Sequence, residues 1–478
     1  MTFSFYWHDY ETWGADPRRD RPSQFAGIRT DAELNPIGEP LVCFCKPSDD
    51  MLPQPEACMI TGITPQQALR EGVNEAEFIR RIHHELSAPG TCGVGYNTLR
   101  FDDEVTRNTL YRNFYDPYGR EWQNGCSRWD IIDMVRLTHA LRPDGIEWPR
   151  NESGVASFRL EVLSAANGIA HESAHDALSD VRATIALARL IKQRQPKLYD
   201  YVFEGRDKRV AAQRLDLQQR RPVLHVSAMY PAERGCIAMV MPLARHPDNP
   251  NGVIVYDLRE DPAPLLELDA EAIHARLFTA TADLPEGVER IALKTVHLNK
   301  CPVLVPMNTL TGEAAERWGL DTAVGERHRE QLLSQPGLAE KIQAVHRMTR
   351  FDPVTDPDQA LYSGGFFSRD DRRRMDEILA VDPAELGRFP QVFDDPRLPE
   401  MLFRYRARNW PATLTAEERE RWDEYRAVRL LEPDGGGSIT LDDYLAVLDH
   451  LESAPDLPPA KQALIPELLA WAEQVNPM

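Results

Sequence analysis

The sequence predicts a layered α/β domain, then a small antiparallel β domain, then a helical region. Three observations carry that reading. Strand-like and helix-like segments alternate from Phe3 to about Lys192, the signature of an α/β layer. Between about Gln213 and Arg290, short apolar runs are separated by Pro, Asn and Gly turns, as in a small sheet or barrel. Beyond about Gly312 helical periodicity returns, interrupted by the turn YSGGFFS. A chain of 478 residues suits such a division, since domains average roughly 100–200 residues.

The elements follow in order. FSFYWHDYET and the stretch from Gly38 to Cys45 read as strands, and NEAEFIRRIHHEL as an amphipathic helix. TCGVGYN is a short apolar strand, followed by the helical DDEVTRNTLYRNFY; HDALSDVRATIALARLIKQ closes the unit. In the β region HVSAMY, CIAMVMPLA and NGVIVYDL are strand-like, and KTVHLNKCPVLVP adds two more strands. Gly435, Gly436 and Gly437 are followed by Ser438 and no Lys, so they form no phosphate-binding Walker loop. Thr440 and Asp443 instead read as a variant capping box opening a helix.

Composition narrows the function classes. The net charge of −20 would repel a polyanion at long range. Yet 47 of the 55 basic residues are Arg, the side chain that grips phosphate as a flat fork. Seven scattered Cys with no CxxC pair argue against a disulfide framework or a Cys-based zinc site, and point to a reducing compartment. Residues 1–20 carry no signal-peptide pattern, and no run approaches about 18 apolar residues. A cytoplasmic protein without a membrane span is expected.

Three acidic motifs carry chemistry. Asp9 and Glu11 are two apart near the end of a strand and share its face with Phe3, Phe5 and Trp7. Two carboxylates ending an aromatic face are costly to bury without a cation; the plainer alternative is a solvated strand end. Asp102 and Asp103 open a helix, where the helix dipole alone would favour them. His175 and Asp180 lie about 140° apart around a helix axis, so His175 belongs to the entering loop or first turn. The small residues Ala177, Ala183 and Thr184 near Asp180 would let that helix approach the sheet. Taken together, four carboxylates and one His in one α/β domain suit two-metal phosphodiester hydrolysis. Hard divalent cations take oxygen ligands, and a neutral imidazole can accept a proton from water.

The order DxE, Asp, HxxxxD resembles the DEDDh group of 3′→5′ exonucleases. HDYETWGADPRRDRPSQFAGIRTD, CKPSDDMLPQP, ITGITPQ, GYNTLRFDDEVTRNTLYRNFYDPY, SRWDIIDMVRLTHALRP, HLNKCPVL and FRYRARNWP resemble one family within it, exodeoxyribonuclease I. The resemblance implies an α/β ribonuclease H-like exonuclease domain (residues 1–195), an SH3-like β domain (196–348) and an α-helical C-terminal domain (349–478). It implies removal of nucleoside 5′-monophosphates from the 3′ end of single-stranded DNA, in repair and recombination, by a monomer using two Mg²⁺ ions, with Mn²⁺ as an alternative.

By the same resemblance Asp9, Glu11, Asp102 and Asp180 are the metal ligands and His175 the general base. Glu11 and Arg159 bind substrate. DNA contacts fall on Arg107, Tyr118, Trp122, Arg136, Lys208, Asn251, Lys294, Asn299, Tyr362 and Phe366. This mixture has its own physical sense, because cations track a phosphate backbone while aromatic faces stack bases of any identity. Core packing is the competing role for each aromatic. The resemblance further implies docking of the acidic C-terminal tail of single-stranded DNA-binding protein at Arg142, Tyr201 and Arg221, where Arg142 would pair with a carboxylate. Bridging adjacent domains is the competing role for these three. A catalytically silent single-strand-binding scaffold and an RNA exonuclease of the same group are the rival readings.

Overall fold

The computed structural model describes residues 3–170, 176–349, 353–390 and 392–477. Two compact units emerge, one from residues 1–127, 171–184 and 353–478, the other from 128–170 and 185–352.

The first unit is built on strands β1 (Ser4–Thr12), β2 (Pro22–Thr30), β3 (Leu41–Phe44) and β4 (Thr91–Gly95), side by side in the order β3-β2-β1-β4. β1 pairs antiparallel with β2 and parallel with β4. A strand with neighbours on both edges and layers on both faces is largely buried, which suits the run of rings from Phe5 to His8 and Tyr10 in β1. Tyr6 and Tyr10 pack with Phe25, Phe78, Ile79 and Ile82 of one core. On the other face Phe3, Phe5 and Trp7 stand in a row, with rings 4.9 and 5.6 Å apart. The helix Glu75–Leu86 is capped by the Asn74 side chain and buries Phe78, Ile79, Ile82 and Leu86. The helix Asp102–Arg112 begins at the predicted acids.

The C-terminal helices belong to this same unit. Arg397–Asn409 docks on the nuclease-side helices through Asn409, whose Oδ1 accepts from the Ala76 amide at 2.8 Å. Leu441–Glu452 starts with Thr440 as its cap, accepting from the Asp443 amide, as the sequence led us to expect.

After the short strand β5 (Ser127–Asp130), the second unit holds an antiparallel five-stranded sheet: β6 (Val223–Val226), β7 (Ile237–Arg245), β8 (Gly252–Asp257), β9 (Leu293–His297) and β10 (Val303–Pro306), ordered β10-β6-β7-β8-β9. HVSAMY is strand only as far as Val226; Ser227 to Tyr230 form a turn closed by the Tyr230 amide on the Ser227 carbonyl. β9 and β10 are no hairpin, and lie at opposite edges of the sheet. The helices Ala270–Phe278 and Leu338–Arg347 pack on each other, the latter also on β7. All seven Cys are buried, and none is joined in a disulfide. No helix among the described residues is long and apolar enough to cross a membrane.

Candidate active site

Asp9 and Glu11 stand near the C-terminal end of β1, on the face that Phe5 and Trp7 occupy further back. The pairing with β2 shifts register between Glu11 and Thr12, an irregularity of the kind that re-aims a side chain beside a site. Asp180 comes from the first turn of the helix Ala177–Arg194, where Ala177, Ala183 and Thr184 are buried as expected. One carboxylate oxygen from each of Asp9, Glu11 and Asp180 lies within 4.8 Å of the others.

Asp102 joins from the start of the helix Asp102–Arg112. Its Oδ1 accepts the Tyr10 amide at 2.9 Å, and its charge is felt by both β1 acids. Burial pushes Asp9 well above the usual carboxylate range, reinforced by Asp102, Glu11, Asp180 and Asp176. Burial likewise pushes Glu11 up to about 9, with Asp180, Asp102 and Asp176 adding to it. Two like charges about 4 Å apart repel by roughly 4 kcal/mol at an effective dielectric constant near 20. Such a cluster stays ionised only beside cations. Its donors are all oxygen, matching hard divalent ions.

Asp103, adjacent in sequence, has a different task. It accepts from Arg120 Nη2 at 2.6 Å, both groups being buried. His8 lies by this pair; burial first, and then the Arg120 charge, hold its imidazole down to about 4.

Asp176 went unnoticed in the sequence. Its carboxylate accepts the Ser179 amide at 3.1 Å, capping the helix that presents Asp180. An Asp three residues before Ser179 was the available signal. His175 lies outside the described residues.

In the first unit Arg107, Tyr118 and Tyr362 come together. Arg107 is only 4% exposed: its Nε and Nη2 donate to Glu121 at 2.7 and 2.8 Å, and its Nη1 to Glu104 at 2.7 Å. The Tyr118 ring lies 5.4 Å from the guanidinium. Trp122 and Phe366 are 66% and 86% exposed, so neither packs in a core.

In the second unit Arg136 pairs with Asp133 at 2.6 Å and lies over Phe158, while the exposed Arg159 pairs with Glu161. Asn251 and Asn299 lie near one edge of the sheet. The Leu298 amide donates to the Asn251 carbonyl at 2.8 Å. On the neighbouring strand Lys294 holds its ammonium 4.6 Å from the Tyr230 ring. Lys208 is exposed at the start of the helix Lys208–Arg214. Arg142 donates to the Thr309 carbonyl at 3.2 Å, Tyr201 lies under Arg214, and Arg221 is exposed.

Oxygen donors gathered where a central strand ends beside a helix N-terminus form a set that could hold divalent cations. Residues 6–188 match the family described as Exonuclease, 206–348 the Exonuclease I SH3-like domain and 355–475 the Exonuclease I C-terminal domain. The chain is 48% identical over 473 residues to exodeoxyribonuclease I of Escherichia coli K12, covering 99% of this chain and 98% of that one. To the Haemophilus influenzae enzyme it is 46% identical, covering 90% and 91%. It is also similar in structure to a moderately thermophilic exonuclease I from Methylocaldum szegediense, with a TM-score of 0.95 at 56% identity and 99% of each chain covered. E. coli exonuclease I in complex with a dA16 oligonucleotide gives a TM-score of 0.95 at 47% identity, covering 99% of this chain and 100% of that one. The chain belongs to the exodeoxyribonuclease I family. An exonuclease domain, an SH3-like domain and a helical C-terminal domain thus follow one another along it.

Proposed function

We propose that this enzyme removes nucleoside 5′-monophosphates from the 3′ end of single-stranded DNA. The observation that carries the reading is the convergence of Asp9, Glu11 and Asp180, with Asp102 on the Tyr10 amide, in a chain whose relative was solved with a single-stranded oligonucleotide. Asp9, Glu11, Asp102 and Asp180 would hold two Mg²⁺ ions, with Mn²⁺ as an alternative. Bound there, such ions activate water and stabilise the leaving oxygen; a related structure contains zinc.

The chain's own residues supply the rest. His175 takes the proton of the attacking water, a role typically worth about 10²–10⁴-fold. Arg159 is exposed enough to exchange Glu161 for a substrate phosphate. Tyr118, Trp122, Tyr362 and Phe366 offer stacking faces, with Arg107 held behind Tyr362 by Glu104 and Glu121, while Arg136, Lys208, Asn251, Lys294 and Asn299 complete the set of DNA contacts. Arg142, Tyr201 and Arg221 receive the C-terminal tail of single-stranded DNA-binding protein. The enzyme works as a cytoplasmic monomer in DNA repair and recombination.

The test is a labelled-strand assay. Single-stranded and duplex DNA and RNA, 3′-labelled, are incubated with Mg²⁺ or with EDTA. Release of 5′-mononucleotides from single-stranded DNA alone, and only with metal, is expected. Binding without cleavage would indicate a scaffold, and preferential attack on RNA an RNA exonuclease.

A further inference from the structure

We infer that Glu104 is a positioning residue for a rigid stacking platform at Tyr362, acting together with Arg107 from behind the ring. The inference rests on the reading that Tyr362 stacks on a DNA base. Tyr362 ends the short helix Pro357–Tyr362 and is 57% exposed. Its phenol is nonetheless held at both functions of the oxygen: it donates to Glu104 Oε2 and accepts from Arg107 Nη1 at 3.2 Å. Arg107 is itself fixed by Glu104 and by the two oxygens of Glu121. The backbone behind the ring is tied as well. Tyr111 donates its hydroxyl to the Pro357 carbonyl at 3.0 Å, and Arg397 donates to the Ala360 carbonyl at 3.2 Å. Tyr362 nonetheless stays more than half exposed.

Charge makes the arrangement informative. Two carboxylates surround one guanidinium, leaving the group acidic beside a surface read as meeting a polyanion. Repulsion of phosphate disfavours a carboxylate there unless it does something else. Favourable placement in the first turn of Asp102–Arg112 is the simpler account, but it does not require Glu104 to meet a phenol more than 250 residues away. A fixed aromatic ring stacks without first being ordered, and the ordering cost is what limits flexible contacts. Phe366 is 86% exposed, and its ring carries no polar atom by which it could be held.

The experiment uses the full chain in EDTA with an oligo-dT strand carrying 2-aminopurine, whose fluorescence falls on stacking. Dissociation constants are measured across a salt series for the wild type, Glu104→Ala, Glu104→Gln, Tyr362→Phe and the Glu104→Ala/Tyr362→Phe pair. We expect Glu104→Ala to lose stacking quench and to weaken binding roughly tenfold, the lower end of what one stacked base is worth. Tyr362→Phe should match it, the pair should be no worse than either alone, and Glu104→Gln, which keeps an acceptor, should recover part of the loss. The salt slope should stay at the wild-type value, since no phosphate contact is removed. Wild-type affinity and quench in Glu104→Ala, or losses that multiply in the pair, would overturn the inference. So would tighter binding with a steeper slope in Glu104→Ala, which would make the carboxylate a mere repeller of phosphate. Thermal melts accompany each variant, and Tyr362→Phe keeps the inference open to refutation should Glu104→Ala not fold. A wild type that binds no single strand would instead remove the functional reading beneath it.

Discussion

The backbone amide of Tyr10 donates to Asp102 Oδ1 at 2.9 Å, so the third acid of the site grips the strand between the first two. Asp102 therefore has two separable tasks, which substitutions can tell apart. Asp102→Asn keeps an oxygen for the Tyr10 amide but loses the charge. It should fold with a near-wild-type melting temperature and lose activity by several orders of magnitude, as expected of a missing metal carboxylate. Asp102→Ala should lose as much activity and also melt lower, because an unpartnered buried amide costs about 1–3 kcal/mol. Single-turnover rates and thermal melts of both proteins check this. Equal stability of the two would show that the amide contact contributes nothing.

Crowding of Asp9, Glu11 and Asp180 within 4.8 Å implies that the metal-free protein is destabilised at its own active site, a common consequence of assembling function. Asp180→Asn removes one charge from the cluster. In EDTA it should melt above the wild type, while being inactive. Added Mg²⁺ should raise the wild-type melting temperature, by mass action on the folded state, and leave that of Asp180→Asn nearly unmoved. Calorimetry of both proteins with and without Mg²⁺ decides the matter; a wild type indifferent to Mg²⁺ would count against the cluster as a cation site.

Glu75 gives a pH dependence that lies away from the chemistry. Burial alone would raise its carboxyl, but the Arg112 guanidinium, held at 2.8 Å by two hydrogen bonds, with Arg21 and Asn113, brings it down to about 2 from 4.5. The folded value is below the unfolded one. The linked stability is therefore fully present above pH 4.5 and lost as the pH falls towards 2. The shift corresponds to about 3 kcal/mol. Glu75→Gln should destabilise the protein at pH 7, and the gap to wild type should narrow steadily between pH 4.5 and the acid limit of folding. Urea melts across that range measure it.

Period and local chemistry made much of this legible. Asp9 and Glu11 share a strand face because strands alternate, Asp102 opens its helix where the sequence placed it, and Asp180 falls in the first turn of its own. Contacts set by folding were not legible. Nothing near Arg107 announces Glu121, 14 residues on, or Tyr362, 255 residues on, and an Arg between aromatics reads first as a phosphate contact. Strand β2 also escaped: PSQFAGIRT is buried on both faces, so it shows no alternation. HVSAMY was over-read for a related reason, since its apolar residues continue past the strand into a turn.

The same blindness to long-range packing hid the role of the last fifty residues. Trp13, two residues beyond Glu11, is buried in one core with Leu441, Tyr444, Leu448, Ile465, Leu468 and Trp471. Trp471 donates its indole N–H to the Met51 carbonyl at 3.1 Å, Gln66 donates to the Glu467 carbonyl at 2.7 Å, and Gln54 to the Ser438 carbonyl at 3.1 Å. The terminal helices thus complete a core that begins at Trp13, just past the acid-bearing strand. Trp471→Ala should cost about 3–5 kcal/mol, the usual range for emptying a large buried aromatic site. Trp471→Phe keeps most of the volume and should cost less. A chain ending at residue 433 would strip Trp13, Met51 and Leu52 of the terminal-helix half of their core, so it should fail to give a native nuclease sheet, not merely a less processive enzyme. Near-ultraviolet dichroism and calorimetry of the truncated chain test this directly. A cooperative melt at the wild-type temperature, with full cleavage of short oligonucleotides, would show that the terminal helices are dispensable to the strand carrying Asp9 and Glu11.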